Sequence, residues 1–370
     1  MIKSWDYLNE YKFLKYKIDS SITKVLKSGT LFFGDENKKF EKNFLKINKS
    51  KYGVAVGSGT DALILSLKAL NIGINDEVIT VANTAIPTAA AIKNVGAKIK
   101  FIDVGPDYLI DVKKIQSAIT KKTKAIIPVH LYGQACEMNK IMNIAKEYKL
   151  KIIEDCAQAQ GAEYDNVKVG NFGDTGCFSF YPTKILGAYG DGGFIVTSNF
   201  KIYKKLKRLS FYGLEQNDKK KWWNNKYFSV ESGINSRLSE VQASILNVKL
   251  NMLEKFISQR RFLAKIYDNE ISNKDIIKPY ENVNNRHVYH LYVVAHRQRD
   301  LVLNKLKKQN IFLSIQYPYP LHKMKAYKNE NSSVKLKNCE TFSKKIFSLP
   351  IYPYLEKNKI NKIIKTLNDL

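Results

Sequence analysis

Apolar and polar residues follow one another along the chain in an order that predicts strands separated by helices. Short apolar runs, such as YGVAV at 52–56 and the run that leads into Asp155, are typical of strands buried on both faces. The segments between them carry apolar residues at every third or fourth position, as amphipathic helices do. Repeated units of this kind predict an α/β fold with a mostly parallel sheet covered by helices on both faces.

Helices are also predicted on either side of this strand-rich region. The first has Leu14 on its apolar face and ends at Gly29. From Asn235 onwards a long apolar stripe predicts one continuous helix that runs towards the C-terminus. We expect this helix to join a large domain over residues 1–245 to a smaller α+β domain over residues 246–370.

The balance of charge is strongly basic, with 61 Lys and Arg against 34 Asp and Glu and a formal net charge of +27. Basic surfaces attract polyanions, so a non-catalytic basic binding protein is one candidate function. The basic residues are scattered, however, without a basic tail or an RNA-binding motif. The charge is therefore expected to reflect composition and attraction for an anionic substrate, with no nucleic acid as partner.

Several other classes are excluded by the cysteines, the histidines and the apolar runs. The four cysteines form no CxxC pair and no disulfide framework. The histidines lack the spacing of zinc ligands, so no metal is predicted. The N-terminus has no apolar signal core and no apolar run approaches about 18 residues, so we expect no membrane contact and a soluble cytoplasmic protein.

Lys184 is the candidate nucleophile. It follows a short apolar strand and lies in a glycine-rich loop, within CFSFYPTKILGAYGDGG at 177–193. An amine in such a loop can form a Schiff base with an aldehyde cofactor if burial or nearby charge lowers its pKa. The alternative is a solvated surface lysine, which is common in so basic a chain.

Asp155 supplies the second part of this chemistry. It ends a predicted buried strand, and open α/β sheets place ligands at the carboxyl ends of their strands. Pyridoxal phosphate enzymes pair a lysine with a carboxylate that keeps the cofactor's ring nitrogen protonated. Lys184 and Asp155 match these two roles, although Asp155 could also be a helix N-cap.

A glycine-rich turn opens the helix after the strand at 52–56. Exposed N–H groups and the positive helix end make an anion site there, with Thr60 and Asp61 as candidates to cradle a phosphate. The turn also matches the dinucleotide fingerprint G-x-G-x-x-A. A dinucleotide site needs an acidic residue after the second strand, whereas Glu77 precedes that strand, so the fingerprint's placement is wrong for it.

Six ordered blocks carry a resemblance to a known family. The sequence resembles the DegT/DnrJ/EryC1/StrS family of pyridoxal-phosphate-dependent nucleotide-sugar aminotransferases over essentially its whole length. The blocks are GSGTDAL at 57–63, DEVIT with VANTAIPT at 76–88, VHLYGQ at 129–134, EDCAQAQGA at 154–162, SFYPTKILGAYGDGG at 179–193 and GINSRLSEVQA at 233–243.

The resemblance implies a fold, a cofactor and a set of site residues. The fold is the aspartate-aminotransferase-like (type I) fold, with a mostly parallel seven-stranded sheet in the large, cofactor-binding domain. The cofactor is pyridoxal 5'-phosphate, bound covalently at Lys184. The remaining residues implied to contact the cofactor are Gly59, Thr60, Asp61, Ala157, Gln158, Ser179 and Asn235, and those implied to contact the substrate are Phe33, Tyr181, Arg237 and His322.

Some of these residues carry further expectations. The family asparagine that matches Asn235 reaches the cofactor phosphate of the neighbouring subunit, so a homodimer with shared active sites is expected. Asn235 and Arg237 could also be ordinary helix-start residues. Ala85 stands where many relatives have an aromatic residue that stacks on the cofactor, which leaves the stacking partner open. His130 is interpreted as a structural residue rather than a substrate contact.

The implied reaction is transfer of an amino group from L-glutamate to a nucleotide-linked keto sugar, which yields an amino sugar for surface glycans such as lipopolysaccharide. A lysine at position 184 separates this reaction from that of the family's dehydratases, which have histidine there. The blocks HLYGQ, GAYGDGG and GINSRL look most like those of enzymes that aminate C-3 of dTDP-3-keto-6-deoxyhexoses. The nearest alternative is amination at C-4 of a UDP-, GDP- or dTDP-linked 4-keto sugar.

Overall fold

A computed structural model describes residues 1–214, 228–328 and 334–370 of the chain. Strands and helices alternate through its first two hundred residues, as the apolar pattern predicts. The strands are β1 Ile2–Lys3, β2 Tyr52–Val56, β3 Glu77–Val81, β4 Lys98–Ile102, β5 Thr123–Ile126, β6 Lys151–Asp155, β7 Glu163–Tyr164, β8 Val167–Lys168, β9 Thr175–Ser179, β10 Gly193–Thr197, β11 Asn285–Arg286, β12 Tyr292–Ala295, β13 Ile311–Phe312 and β14 Ile346–Leu349.

Helices cover both faces of these strands, and short 3-10 turns supplement them. The α-helices are α1 Leu8–Ser28, α2 Asp35–Asn48, α3 Gly59–Ala69, α4 Ile86–Asn94, α5 Ile115–Ala118, α6 Met138–Glu147, α7 Phe200–Leu209, α8 Glu240–Leu250, α9 Leu253–Glu270, α10 Arg299–Lys308, α11 Lys325–Lys328, α12 Lys337–Lys345 and α13 Lys357–Asn368. Within the described ranges, none of these helices has the length and apolarity that crossing a membrane requires.

The central sheet has seven strands in the order β2-β10-β9-β6-β5-β3-β4. Six strands are parallel, and β10 pairs antiparallel with both of its neighbours. The predicted mostly parallel seven-stranded sheet is therefore confirmed. Strands β2, β3, β6, β9 and β10 of this sheet are mostly buried because helices lie on both faces.

Local signals in the sequence account for the ends of the helices that border the sheet. Helix α1 ends at Gly29, which has the left-handed φ of 68° that glycine adopts without steric cost. Helix α3 begins after Ser58, whose side chain accepts a hydrogen bond from the Asp61 N–H at 3.1 Å.

The prediction of one continuous helix from Asn235 is wrong, because the chain forms two helices, α8 and α9. The break falls at Asn251 and Met252. The side-chain amide of Asn251 donates to the Asn247 carbonyl at 3.2 Å, and such side-chain hydrogen bonds compete with the regular helical pattern. Helix α8 packs on α1 and α2, whereas α9 contributes to a second cluster of buried apolar side chains.

That second cluster forms the core of the C-terminal part of the chain. It combines apolar side chains of α9, α10 and α13 with those of β12 and β14. The two-stranded pair of β12 and β14 and the helices around it have the mixed composition expected of a small α+β unit. Residue 245 lies inside α8, and the domain division at this residue stays a prediction.

Candidate active site

The carboxylates of two adjacent residues at the end of β6 face opposite sides of the sheet, because successive residues of a strand do so. The Glu154 side chain is fully buried and accepts hydrogen bonds from the N–H groups of Gly170, Phe172 and Gly173, each at 2.8 Å. These bonds tie the loop before β9 to β6. Glu154 therefore has a structural role, whereas the neighbouring Asp155 lines the cavity on the opposite face of the sheet.

Histidine 130 completes the buried cluster around Glu154. His130 Nδ1 accepts from the Cys136 N–H at 3.0 Å, so Nε2 carries the hydrogen that faces Glu154 Oε2 at 3.0 Å. Both ring nitrogens are thus satisfied within the protein. The donor atoms of His130, Glu154 and Cys156 come within 4.8 Å of one another, but the hydrogen bonds of this group favour a structural role over metal binding.

Asp155 lies in a cavity at the carboxyl edge of the sheet. Its carboxylate accepts from Thr88 Oγ1 at 2.8 Å and from the Ala157 N–H at 3.1 Å. Burial raises the pKa of Asp155, while these two hydrogen bonds and the charge of Lys184 oppose the rise. Asp155 is thus held in one orientation by α4 and by the turn after β6, with one face towards the cavity.

Lys184 enters the same cavity from the loop between β9 and β10. The loop is fixed beside it, because the Lys184 N–H donates to the Tyr181 carbonyl at 2.8 Å. Enclosure of the side chain lowers the pKa of Lys184 to about 8, although the Asp155 carboxylate acts in the opposite direction. A neutral amine is therefore accessible close to neutral pH, as attack on an aldehyde requires.

The cavity has a volume of about 350 Å³ and gathers most of the residues that the sequence predicts for the site. Its polar groups converge from the turn before α3, the end of β6 and the loop after β9. The predicted residues that line it are Gly59, Thr60, Asp155, Ala157, Gln158, Ser179, Tyr181 and Lys184.

One wall of the cavity is built for a phosphate. Ser58, Gly59 and Thr60 open α3 there, and Ser179 faces them from the end of β9. A Cβ on Gly59 would lie 2.7 Å from the Ser179 Cβ, so only glycine allows this close approach. Hydroxyls and free N–H groups at the start of an eleven-residue helix suit an anionic group.

The Asp61 side chain contacts the segment around Ser236, and the predicted contact of Asp61 with the phosphate stays a prediction. Its Oδ2 accepts a hydrogen bond from Ser236 Oγ at 2.7 Å, and the Ser236 Oγ accepts one from the Gly57 N–H at 2.9 Å. Asp61 does not line the cavity. The carboxylate therefore holds the turn and the segment around Ser236 in place, and the phosphate wall consists of its neighbours.

The residues present fit a phosphorylated aldehyde such as pyridoxal phosphate. A phosphate wall, an amine with a lowered pKa and an acidic group occupy separate sides of one cavity. Ala85 lines the cavity but has no aromatic ring that could stack on a cofactor. The aromatic side chains that line the cavity are Tyr181 and Tyr317. Gln158 is oriented by two hydrogen bonds, from its Nε2 to Tyr317 Oη at 2.9 Å and from the Tyr132 N–H at 2.8 Å.

Two residues of the site could not be identified from single motifs. Thr88 orients Asp155, yet a threonine inside an alanine-rich helix carries no distinctive signal. Tyr317 lies in the C-terminal region, 133 positions after Lys184 in the sequence, and one tyrosine among 22 does not stand out. Both are placed at the cavity by tertiary packing alone.

The remaining predicted residues lie outside this cavity. Arg237 lies over three aromatic rings, with its guanidinium carbon 4.5 Å from the ring centre of Phe32, 5.2 Å from that of Phe211 and 5.6 Å from that of Phe33. Asn235 is exposed beside it. Together with Lys38 and Lys207, Arg237 lines a groove that we call the basic groove.

His322 is buried away from the cavity. Its Nε2 lies 3.0 Å from Glu340 Oε1, and this contact is accompanied by a lowered pKa of Glu340, to about 2. The Leu321 N–H beside it donates to the Ala82 carbonyl at 2.9 Å, which ties this segment to the end of β3. The predicted substrate contact of His322 has no counterpart among the groups that line the cavity, and it stays a prediction.

Comparisons with known proteins agree with this geometry. The model of the DegT/DnrJ/EryC1/StrS aminotransferase family matches residues 13–368. A dTDP-3-amino-3,4,6-trideoxy-α-D-glucose transaminase of Micromonospora megalomicea is 39% identical over 373 residues, which covers 99% of this chain and 98% of that protein. A UDP-N-acetyl-3-dehydro-α-D-glucosamine 3-aminotransferase of Acidithiobacillus ferrooxidans is 38% identical and covers 95% and 92% of the two chains.

A solved structure has the same fold. The crystal structure of DesV from S. venezuelae, in complex with a ketimine intermediate, superimposes with a TM-score of 0.93 at 34% sequence identity. The match covers 98% of this chain and 96% of that one.

The lowered pKa of Lys184 predicts how cofactor capture depends on pH. The neutral amine is the reactive form, so the rate should rise about tenfold per pH unit below pH 8 and level off above it. The measurement is the growth of visible absorbance after apoenzyme is mixed with pyridoxal phosphate between pH 6 and 10. An inflection near 10.5, the usual value for lysine, would contradict the role of burial.

Proposed function

This chain belongs to the DegT/DnrJ/EryC1/StrS aminotransferase family, and from that premise we propose that it transfers the amino group of L-glutamate to C-3 of a dTDP-3-keto-6-deoxyhexose. It is a pyridoxal-phosphate-dependent nucleotide-sugar aminotransferase. The observation that carries the proposal is the convergence of Lys184, Asp155 and a phosphate wall on one cavity. The identity of the amino donor, the sugar carbon that receives the amine and the nucleotide are what we propose beyond this activity.

The residues around the cavity divide the binding of the cofactor among them. Ser58, Gly59, Thr60 and Ser179 line the cavity where they would hold the phosphate, and Asp155 would bind the ring nitrogen. Pyridoxal phosphate supplies an electron sink when its ring nitrogen is protonated. Asp155 keeps a proton on that nitrogen because a carboxylate favours the cationic form, and Thr88 keeps the carboxylate pointed at it.

The other two predicted cofactor contacts act on the ring. Ala157 lines the cavity and would pack against one face of the ring, because its small side chain leaves room for a flat group. Gln158 presents its amide to the phenolic oxygen, since its Nε2 has a second hydrogen beyond the one donated to Tyr317. Tyr181, which is half exposed at the mouth of the cavity, contacts the incoming substrate.

Lys184 has two tasks in the proposed reaction. It first holds the cofactor through its Nζ, and the amino donor then takes its place. Once released, the neutral Lys184 amine would take up the Cα proton of the donor and give a proton back later in the transfer. Its lowered pKa suits both tasks, because the free amine is present near neutral pH and can still accept a proton.

The basic groove is proposed to serve the sugar nucleotide. Arg237, Lys38 and Lys207 line it with Glu41 as the single acidic residue among the described lining side chains, so it attracts a diphosphate. Phe33 and its neighbours orient the Arg237 guanidinium by cation–π contact. We propose that Asn235 and Arg237 complete the site of a neighbouring subunit, which makes a homodimer the active form.

The choice of C-3 is supported by the names of the relatives. Both of the similar proteins described above act at the 3-position of their sugars, one on a dTDP sugar and one on a UDP sugar. We propose that an activated amino sugar of this kind serves a surface glycan and that it is made in the cytoplasm. His322 stays a proposed substrate contact, although it is buried and is not among the residues that line the cavity.

The first experiment compares the wild type with Lys184→Ala in the visible spectrum. Wild-type enzyme with pyridoxal phosphate should show an absorption band that L-glutamate bleaches and 2-oxoglutarate restores, whereas the variant shows neither change. NMR of the product formed from the 3-keto and 4-keto dTDP sugars then locates the new nitrogen. Nitrogen at C-4 would overturn the assignment of C-3, and a wild type without any band would overturn the aminotransferase mechanism.

Asp155→Asn tests the carboxylate beside the ring nitrogen, with Glu154→Gln as the matched control on the same strand. We expect Asp155→Asn to bind the cofactor but to slow the reaction with L-glutamate at least about 100-fold. Glu154→Gln removes structural hydrogen bonds and should lower the free energy of unfolding by about 1–3 kcal/mol, with the reaction rate of the folded enzyme within about threefold of wild type. Equal slowing by both changes would contradict the division of roles.

Arg237→Leu tests the basic groove. The KM for the nucleotide sugar should rise about 30-fold, because a charge-assisted contact to phosphate is lost. The half-reaction with L-glutamate should keep its rate, since Arg237 is proposed to contact the nucleotide sugar and not the amino donor. Lys204→Leu, an exposed basic residue of α7 outside the groove, is the control and should change neither value. An unchanged KM in Arg237→Leu would argue against the groove.

A further inference from the structure

A second, smaller cavity adjoins the cofactor cavity on the side of the C-terminal region. Its volume is about 130 Å³, and four residues line both cavities: Gln158, Thr183, Lys184 and Tyr317. We call it the donor pocket. Its remaining walls come from the N-terminal segment, α9, the run before β12 and the segments after β13 and β14, so it is shaped by parts of the chain far apart in sequence.

Two buried polar side chains of the donor pocket have atoms without partners. Arg260 on α9 is 3% exposed, and its Nη1 donates to the carbonyls of Tyr289 at 3.2 Å and His290 at 3.1 Å. Its Nε has no hydrogen-bond partner within the described part of the chain. The His290 side chain is 6% exposed, and its Nδ1 is unpartnered in the same sense. Buried groups of this kind are costly unless a ligand satisfies them.

The charges around the donor pocket favour an anion. The described residues that line it include Lys184 and Arg260 but no aspartate or glutamate. Burial lowers the pKa of Arg260 to about 10, which leaves the guanidinium charged at neutral pH. The acid whose charge acts on it, Glu10, lies 2.6 Å from Lys249 Nζ and is therefore already paired. A positive charge is thus left for a small anionic group.

We propose that the donor pocket binds the α-carboxylate of the amino donor, through Arg260 and His290. This inference rests on the proposed aminotransferase reaction and adds the residues that recognise the donor. Lys184 must reach the hydrogen on the donor's Cα, and the α-carboxylate is bonded to that same carbon. It must therefore lie within a few ångströms of Lys184, which is where the donor pocket adjoins the cofactor cavity.

The size of the donor pocket separates the two substrates. A volume of about 130 Å³ suits a carboxylate and a short side chain but is too small for a nucleotide. Burial and the charges of Lys184 and Arg260 lower the pKa of His290, so the ring is neutral and its Nδ1 can carry a hydrogen towards a carboxylate. Arg260 thus supplies the positive charge that attracts the carboxylate, and His290 supplies a neutral N–H group that can donate to it.

The test uses two ligands that differ only by the α-carboxylate. α-Methyl-L-glutamate has no hydrogen on Cα, so its equilibrium binding to the cofactor-loaded enzyme can be measured from the visible spectrum without onward reaction. 4-Aminopentanoate is the same molecule with a hydrogen in place of the α-carboxylate, so its binding is measured from the initial spectral change, before any onward reaction. Wild-type enzyme should bind the first ligand more tightly, and that preference measures the contribution of the carboxylate.

Two variants then assign that preference to residues. Arg260→Gln should weaken binding of α-methyl-L-glutamate about 30-fold and that of 4-aminopentanoate less than threefold. His290→Phe keeps the ring shape and leaves the Arg260 bonds to backbone carbonyls in place, and it should weaken only the first ligand, by about fivefold. If either folded variant weakens both ligands equally, or neither, the donor pocket is not the carboxylate site.

The remaining readouts separate this inference from the wider proposal. The intensity of the cofactor band and the thermal unfolding temperature show whether each variant is folded, and His290→Phe carries the test if Arg260→Gln is not. A wild type with an intact band that binds neither ligand would show that L-glutamate is not the donor. In that case 2-methylalanine and isopropylamine, which again differ by the carboxylate, test whether the donor pocket binds a carboxylate. The absence of any cofactor band would count against the aminotransferase reaction itself.

Discussion

The alternation of side chains along β6 is the constraint on which the rest of the site depends. Because neighbouring residues of a strand face opposite sides, Glu154 and Asp155 cannot share a task. Glu154 turns to the side where it collects the N–H groups of the loop at 170–173, and Asp155 turns to the cavity. A single strand end thus fixes both the support of the site and its acidic group.

Lys184 and the phosphate wall are positioned by β9, β10 and β2, which are neighbouring strands of the same sheet. The loop of Lys184 leaves β9 and returns through β10, and β10 also pairs with β2, which leads into the turn before α3. The amine and the phosphate wall are therefore held by neighbouring strands, and Gly59 allows those strand ends to approach closely. Burial of this junction is what moves the pKa of Lys184 towards neutrality.

The sequence is sufficient to predict the layers, the central sheet and most of the cavity. Periodicity identifies the strands, and motifs place Lys184, Asp155 and the glycine-rich turn at strand ends, where parallel sheets bring them together. Sequence pattern could not separate α8 from α9, because apolar spacing continues across a break caused by the side chain of Asn251. It also could not reveal Arg260, since buried arginines and surface arginines look the same in a basic chain.

The pairing of β2 with β10 has a consequence for the synthesis of the protein. The residues that pair, such as Val56 with Gly193, are separated by most of the large domain, so this contact closes late. At typical rates of translation the edge of β2 waits on the order of ten seconds for its partner strand. During that interval a hydrophobic strand is available to other chains, and the emerging polypeptide is most dependent on chaperones before the lysine loop has left the ribosome.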